Sequence, residues 1–286
     1  VDPKTSAGAS KLDRDMVSKL PTSRDAFYDL SLTTPGMFDV ADSGSWLPSP
    51  TAYGSTSVEN ITMVNGVNTT NPRGSSWGSL VKVNYNAVEE VRIVALGAKA
   101  EYGSYSGAAI DVLTKSGSNS FHGNAAYYFQ PVAWFTPNQP YPIGSGTVAL
   151  EGKNSWLFYQ QGDQLFEDTQ SDWELNATFG GPILKDKIWF YAAFDYLKYI
   201  SKGVNWDLLL HSKNYYGDFK LSAEPFRNNR TWIAYHYENY FGDGWSWGTQ
   251  PEWDLSTSYG KRSTNNVLSG QWQWLPTSKM IITAKY

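Results

Sequence analysis

Residues 173–196 read WELNATFGGPILKDKIWFYAAFDY, two alternating runs joined by the short turn GGPILKD, which leads into Lys187. Successive side chains of a strand point to opposite faces, so in the first run Trp173, Leu175, Ala177 and Phe179 share one side and Glu174, Asn176 and Thr178 the other. Downstream, YYGDFKLSA sets Tyr215, Phe219 and Leu221 against Asp218, Lys220 and Ser222. HGNAAYYF, KIWFYAAFDYLKY, RTWIAYHYENY, VLSGQWQWL and MIITAKY repeat the pattern, giving seven such segments from Phe121 onward. Longer polar stretches such as EGKNSWLFYQQGDQLFEDTQSD and GDGWSWGTQPEWD separate others, and short turns at one end with long loops at the other suit an antiparallel meander.

Two folds satisfy that alternation. A water-soluble sandwich buries one strand face and wets the other, whereas an outer-membrane barrel turns the apolar face to lipid and the polar face inward. Tyr127, Tyr128, Phe129, Trp134, Phe135, Tyr191, Tyr196, Tyr199, Tyr235, Tyr237, Tyr240, Trp272 and Trp274 crowd strand ends, where interfacial girdles want aromatic rings. The lipid reading places Trp173, Leu175, Phe179, Tyr215, Phe219 and Leu221 outward and Glu174, Asn176, Asp218 and Lys220 toward the lumen or an inner domain that fills it.

Composition narrows the function. Lys and Arg number 23 against 27 Asp and Glu, a net charge of −4, which disfavours a binder of nucleic-acid backbone. Cys is absent, so thiol nucleophiles, Cys-ligated zinc and iron–sulfur clusters are excluded. The longest stretch free of Asp, Glu, Lys and Arg, residues 116–150, contains Pro131, Pro137, Pro140 and Pro142 and cannot be a membrane helix. The opening VDPKTSAGAS has no signal-peptide pattern, as expected of a mature or trimmed product.

Upstream of Phe121 the chain reads as a small α+β unit. Ser10 with Asp13, and Thr22 with Asp25, predict two short helix starts of the capping-box kind, with Pro35-Gly36 stopping the second. Residues 38–57 read as loop, and ITMVNGV (61–67), EEVRIVA (89–95) and GAAIDVLTK (107–115) as short strands. Asn65-Gly66 suits a positive-φ tight turn, and Glu89, Glu90 and Arg92 flank the apolar Val88, Val91 and Ile93.

The run VNGV (64–67) with NAVEEVRIVALGAKAEYGSYSGAAIDVLTKSGSNSFHG (86–123) resembles the plug domain of TonB-dependent outer-membrane receptors, and more narrowly the Oar-like group. FGGPILKDKIWFYAAFDY (179–196) is similar to that group's early barrel hairpin, and LPTSRDAFYDLSLTTPGM (20–37) to the start of its plug, so the likeness spans about residues 17–200. It implies a partial transmembrane antiparallel β-barrel with an N-terminal α+β plug: plug at 1–120, the N-terminal part of a truncated barrel at 121–286. The plug signature falls on Asn65, Gly66, Glu90, Arg92, Gly97, Tyr102, Gly103, Thr114 and Lys115, with Glu90 and Arg92 facing the barrel wall. The group usually has Asp where Asn65 stands, and its glycine-rich run before Asn-Val-Val is replaced in part by Ala108-Ala109 and Asp111-Val112-Leu113. No energy-coupling box or preceding carboxypeptidase-regulatory-like domain is visible, and Tyr286 ends in mid-strand. A fragment of a longer protein is expected, since a barrel of this kind has about 22 strands.

The resemblance further implies import of an unidentified solute, peptide or glycan across the outer membrane, driven by a TonB-type energy-transducing protein. Outer-membrane lipid is an expected partner, and a surface lipoprotein or barrel-completing partner would supply what the open sheet lacks. The plug is expected to present Glu90, Arg92, Asp111 and Lys115 to the polar wall. No cofactor, metal or catalytic residue is expected. His122, His211 and His236 lack metal-site spacing, Ser104, Ser106 and Ser116 lack a nucleophile elbow, and the acidic stretch of Asp163, Glu167, Asp168 and Asp172 reads as a solvated loop rather than a calcium site. The competing reading is an extracellular all-β carbohydrate-binding or adhesion module, whose ligand would stack on Trp245, Trp247 and Trp253.

Overall fold

The structure is a computed structural model that describes residues 8–20, 28–39, 50–52, 54–56, 59–71, 79, 81–96, 106–130, 158–161, 164–167, 169–202, 210–245 and 259–286. Its first elements are β1 (Gly8–Leu12), α1 (Arg14–Lys19), α2 (Tyr28–Ser31), β2 (Met37–Asp39) and β3 (Pro50–Ala52). β4 (Ile61–Val64), β5 (Val67–Asn68), β6 (Val88–Leu96) and β7 (Ala109–Thr114) follow. β1, β6, β7, β4 and β5 form a five-stranded sheet in that spatial order, antiparallel except for the parallel β4–β7 pair. Leu12, Val17, Leu30, Val64, Val91, Ile93, Ile110 and Val112 pack as its apolar core.

Local chemistry explains most of these boundaries. Asn65 and Gly66 take φ of 52° and 80°, the paired left-handed geometry that closes the β4–β5 hairpin without splaying its strands. Asp13, not Ser10, caps α1: its carboxylate accepts from the Met16 N–H at 3.0 Å. Ser10 instead lies inside β1 opposite Ile93, because the long-range ladder to β6 claims its backbone. The second expected start, Thr22 with Asp25, lies outside the described residues. Within 38–57, read as loop, β2 and β3 pair as a short ladder.

All seven alternating segments are strands. β8 (His122–Gln130) and a hairpin of β9 (Phe158–Gln161) and β10 (Gln164–Glu167) precede β11 (Thr169–Leu184), β12 (Ile188–Lys202), β13 (Leu210–Ala223), β14 (Asn229–Trp245), β15 (Tyr259–Thr277) and β16 (Met280–Lys285). The large sheet runs β16-β15-β14-β13-β12-β11-β8, antiparallel throughout. β11 to β15 have 14 to 19 residues each, more than the 9 to 11 or so that a tilted strand needs to cross hydrocarbon.

Two local readings are corrected. GGPIL belongs to β11, and the turn is confined to Lys185–Lys187, where Asp186 takes φ of 63°, a conformation Asp tolerates through local hydrogen bonding. The acidic stretch is not a loop where it is described: Glu167 pairs in β10 and Asp172 in β11, since backbone ladders there outcompete solvation.

The two faces of the large sheet distinguish the sandwich from the barrel. Asn176, Asp195, Ser212, Asn214, Asp218, Lys220, His236, Glu238 and Ser269 are buried, whereas Leu175, Phe179, Phe194, Tyr215, Phe219, Ile233, Tyr235, Leu268 and Trp272 are exposed. A soluble sandwich requires the reverse. Leaving a large apolar side chain in water forgoes about 1.5–3 kcal/mol, so nine on one continuous face is a cost that only a lipid environment removes. Asn176, Asp218 and Lys220 thus lie on the inner face, and Leu175, Phe179, Tyr215 and Phe219 on the outer, as period two predicts. No helix among the described residues is long and apolar enough to cross a membrane.

Candidate functional site

The five-stranded sheet and the segment before β6 rest on the inner face of the large sheet, and the seam between them is polar. Lys220 on β13 donates from Nζ to the Thr114 carbonyl at the end of β7 (2.8 Å). The Tyr191 hydroxyl on β12 donates to the Asn86 carbonyl (3.1 Å), and Asn176 on β11 donates from its side-chain amide to Asn84 Oδ1 (3.1 Å). From the other side the Lys82 N–H donates to Glu238 Oε2 on β14 (3.0 Å). Among the described residues apolar support is thin: Ala87 packs with Tyr191 and Ala193, and Val267 of β15 touches the core of the small sheet.

The Asn65-Gly66 turn organises the edge of this seam. Asn65 Oδ1 accepts from both the N–H and the hydroxyl of Thr114, at 3.0 and 3.1 Å, while the Gly66 N–H donates to Asp111 Oδ1 at 3.0 Å. The acceptor that fixes Thr114 is the side-chain carbonyl of an amide, so the Asn standing where the resembled group has Asp loses no acceptor. Thr114 then offers its carbonyl to Lys220. A small cavity opens beside this contact, where Asn65, Thr114, Asp218, Lys220 and His236 meet the apolar Val64, Ala234 and Val267. Asp218 and His236 pair across its wall at 2.9 Å.

The charged residues expected to face the wall have described partners within the small sheet. Glu90 hydrogen-bonds Arg92 on its own strand and pairs with Lys11 on β1, within the small sheet. A register shift between Val88 and Glu90 lets Val88 and Val91 both enter the core, while Glu90 keeps the face of Arg92 and of Lys11, the β1 partner of Arg92. Lys115 donates to the Asn86 carbonyl at 2.7 Å, also on the plug side. Burial holds Asp111 above the usual carboxylate range, opposed by the Gly66 N–H and by the charges of Arg92 and Lys285, the latter on β16. Burial also acts on Glu90, but Lys11 and Arg92 outweigh it and hold that carboxyl below its ordinary value. The Glu90 contribution is therefore complete above the unfolded carboxylate range and lost as pH falls through the lowered folded value. Glu90→Gln is expected to loosen β1 by about 0.2–1 kcal/mol near neutral pH, the range for a solvent-screened pair, with the difference vanishing in acid. Amide hydrogen exchange of residues 9–12 reads it.

The two most specific motifs of the sequence meet in space. TKSGSNSFHG carries Asn119, whose Oδ1 accepts from the Asp186 N–H (2.9 Å) and the Trp189 indole (2.6 Å), and whose Nδ2 donates to the Asp186 carboxylate. This ties the exit from the small sheet to the tight turn between β11 and β12. A Cβ at Gly117 would lie 2.2 Å from the Phe190 carbonyl oxygen, fixed backbone that requires glycine there, whereas one at Gly181 would meet the Phe121 ring at 2.2 Å and displace an exposed side chain.

Gly97, Tyr102, Gly103, Trp247 and Trp253 lie outside the described residues, and Trp245 is the last residue of β14. Sequence reasoning turned Asn176 and Lys220 toward the lumen or plug, but missed Lys82, Asn84, Asn86, Tyr191 and Glu238 as seam residues and Asn119 as the tie to the tight turn. The only available signal was that Asn86 and Asn119 sit within the quoted motifs and that Asn176 and Lys220 fall on the polar face.

No protein-family model matches the chain. Among curated proteins it is similar to the TonB-dependent transporter Oar of Myxococcus xanthus, 36% identical over 143 residues that make up 49% of this chain and 12% of that protein. Among solved structures, the siderophore receptor PirA from Acinetobacter baumannii matches 93% of the chain at a TM-score of 0.62 and 16% identity. The outer membrane transporter YddB from Escherichia coli matches 93% at 0.68 and 14%. The chain spans 37% and 36% of those two structures, and at such identities they speak to fold.

Proposed function

We propose that this chain, a member of the TonB-dependent receptor group by sequence kinship and fold, is the plug and the first barrel strands of a receptor that imports a solute across the bacterial outer membrane. Residues 1–120 act as the plug and 121–286 as the opening part of the barrel. The solute binds at the external face, and a TonB-type protein supplies the work that moves the plug.

The supporting observation is the seam. A sheet held to its wall, among the described residues, by hydrogen bonds of Lys220, Tyr191, Asn176 and Glu238 with little apolar burial is suited to be both seated and displaced. Each such bond nets about 0.5–1.5 kcal/mol and is replaced by water on opening, whereas a packed apolar interface would have to be exposed at a cost that grows with its area.

Cysteine accessibility tests the reading. Thr114 is 5% exposed and the chain has no native Cys. In the full-length receptor, otherwise free of cysteine, Thr114→Cys should react with a permeant maleimide about tenfold faster in energised cells than in cells treated with a protonophore or lacking the energy-transducing protein, a factor equal to about 1.4 kcal/mol of opening. Equal labelling in all three conditions would refute an energy-driven plug.

A further inference from the structure

The outer face of the barrel carries a row of charge that import does not use. The register aligns Phe129 with Trp173, Trp173 with Lys198, Lys198 with Lys213, Lys213 with Phe241, and Phe241 with Arg262, one residue from each of six adjacent strands. Register partners share a face, and this face is that of Leu175, Tyr215 and Leu268, the apolar exterior. All six lie toward the strand ends that lead into the long connections, away from the tight turns at Asp186 and Asn228. In barrels of this kind short turns face the periplasm, so the row lies at the outer-leaflet boundary.

Its composition is one-sided. Among the described outward-facing positions of β8 and β11–β15 the one acid is Asp243, a step nearer the loops and opposite His211. Lys198, Lys213 and Arg262 have no ion-pair partner among the described residues, and two of them lie over aromatic rings instead: Lys198 over Trp173 at 5.2 Å, and Arg262 over Phe241 at 4.9 Å. Like charges placed directly across a ladder, as Lys198 and Lys213 are, destabilise a sheet unless an anion sits between them. Strand spacing of about 4.8 Å sets Lys198 and Arg262 about 14 Å apart, a headgroup-sized span. Below Lys198, on the membrane side, a shallow groove is lined by Tyr127, Trp173, Leu175 and Tyr196.

We infer that Lys198, Lys213 and Arg262 form an external binding site for the phosphate groups of an outer-leaflet lipid, with the Tyr127–Trp173–Leu175–Tyr196 groove receiving the adjoining apolar or sugar portion. The charge is complementary to phosphate, the depth is that of headgroups, and the bound lipid would relieve the Lys198–Lys213 repulsion. The site rests on the membrane placement of the barrel and is independent of what the receptor imports.

Native mass spectrometry of the full-length receptor in detergent tests it with three probes: an acylated disaccharide lipid bearing two phosphates, the same lipid dephosphorylated, and inorganic phosphate. The bisphosphorylated lipid should bind one to one, and the triple substitution Lys198→Gln, Lys213→Gln, Arg262→Gln should weaken it about a hundredfold, since each basic residue near an anionic surface gives about fivefold. The dephosphorylated lipid should bind no better to the native receptor than the bisphosphorylated one does to the triple variant. Arg230→Gln, at the tight-turn end, should change nothing. Should the triple variant fail to insert, as read separately by heat-modifiable mobility on gels, Lys213→Gln alone should still weaken binding about fivefold. Equal affinity of a folded variant, or of the dephosphorylated lipid, would overturn the site. Displacement of the lipid by an equal concentration of inorganic phosphate would overturn its assignment to a lipid.

Discussion

Removing residues 1–115 from the full-length receptor is expected to convert a silent membrane protein into a large, nonspecific pore. The small sheet has its own apolar core around Val91, Ile93, Ile110 and Val112, while its ties to the wall run through Thr114, Asn86, Asn84 and Lys82. Deletion therefore takes out a unit without unravelling the strands. Cutting after Lys115 keeps Gly117 and Asn119, which pack on β12 and the Asp186 turn and belong mechanically to the barrel. The wall left behind is lined by Asn176, Asp195, Asp218, Lys220 and Glu238, side chains that hydrate readily. Barrels of about 22 strands have a lumen wide enough to need a plug. Planar-bilayer recording should show stepwise conductance for the plugless protein and none for the intact one, with energised uptake abolished. An inserted, heat-modifiable, yet silent plugless barrel would show that the small sheet is not the stopper.

The second large effect concerns a single carbon atom. Gly117→Ala is expected to destabilise the barrel by about 1–3 kcal/mol, a fivefold to hundredfold or so shift toward the unfolded state, because the new Cβ would sit 2.2 Å from the Phe190 carbonyl oxygen and 2.9 Å from its neighbouring backbone atoms. Those atoms are held by the β11–β12 and β12–β13 ladders and cannot yield. Relief would require the exit segment to lift, which strains the Asn119 bonds to Asp186 and Trp189. Gly217→Ala is the matched control: its Cβ would meet nothing nearer than the Tyr237 Cβ at 3.9 Å, so a change within about 0.5 kcal/mol is expected. Urea midpoints in detergent compare the two. Equal midpoints would mean that the linker is not clamped against β12.

Period-two patterning made the large sheet legible, since a lipid-facing strand must keep one apolar side along its whole length. WELNATF and YYGDFKLSA accordingly reported the faces of Leu175, Phe179, Phe219, Asn176, Asp218 and Lys220. The β9–β10 hairpin was illegible because its two four-residue strands, FYQQ and QLFE, are too short to display a period. Ser10 was misread as a cap because the ladder that claims it comes from β6, some eighty residues away. The pairing of Glu90 with Lys11 was illegible for a related reason: its partner lies some eighty residues upstream in β1, and nothing in VEEVRIVA marks it. The seam was the least readable part. Lys220 and Tyr191 meet carbonyl groups, which every residue has, so no complementary partner is written in the sequence.

That last property bears on how such a molecule can evolve. Of the four bonds described across the seam, three grip plug main chain: the Thr114 and Asn86 carbonyls and the Lys82 N–H. A wall that holds its contents by the peptide groups imposes a shape and is nearly indifferent to lettering. Residues of the small sheet that neither fill its core nor form the Asn65–Thr114 turn are thereby released to drift, or to be selected for whatever arrives from outside. One barrel lineage could in this way accommodate a succession of differently specified inserts while its own inner surface stays unchanged.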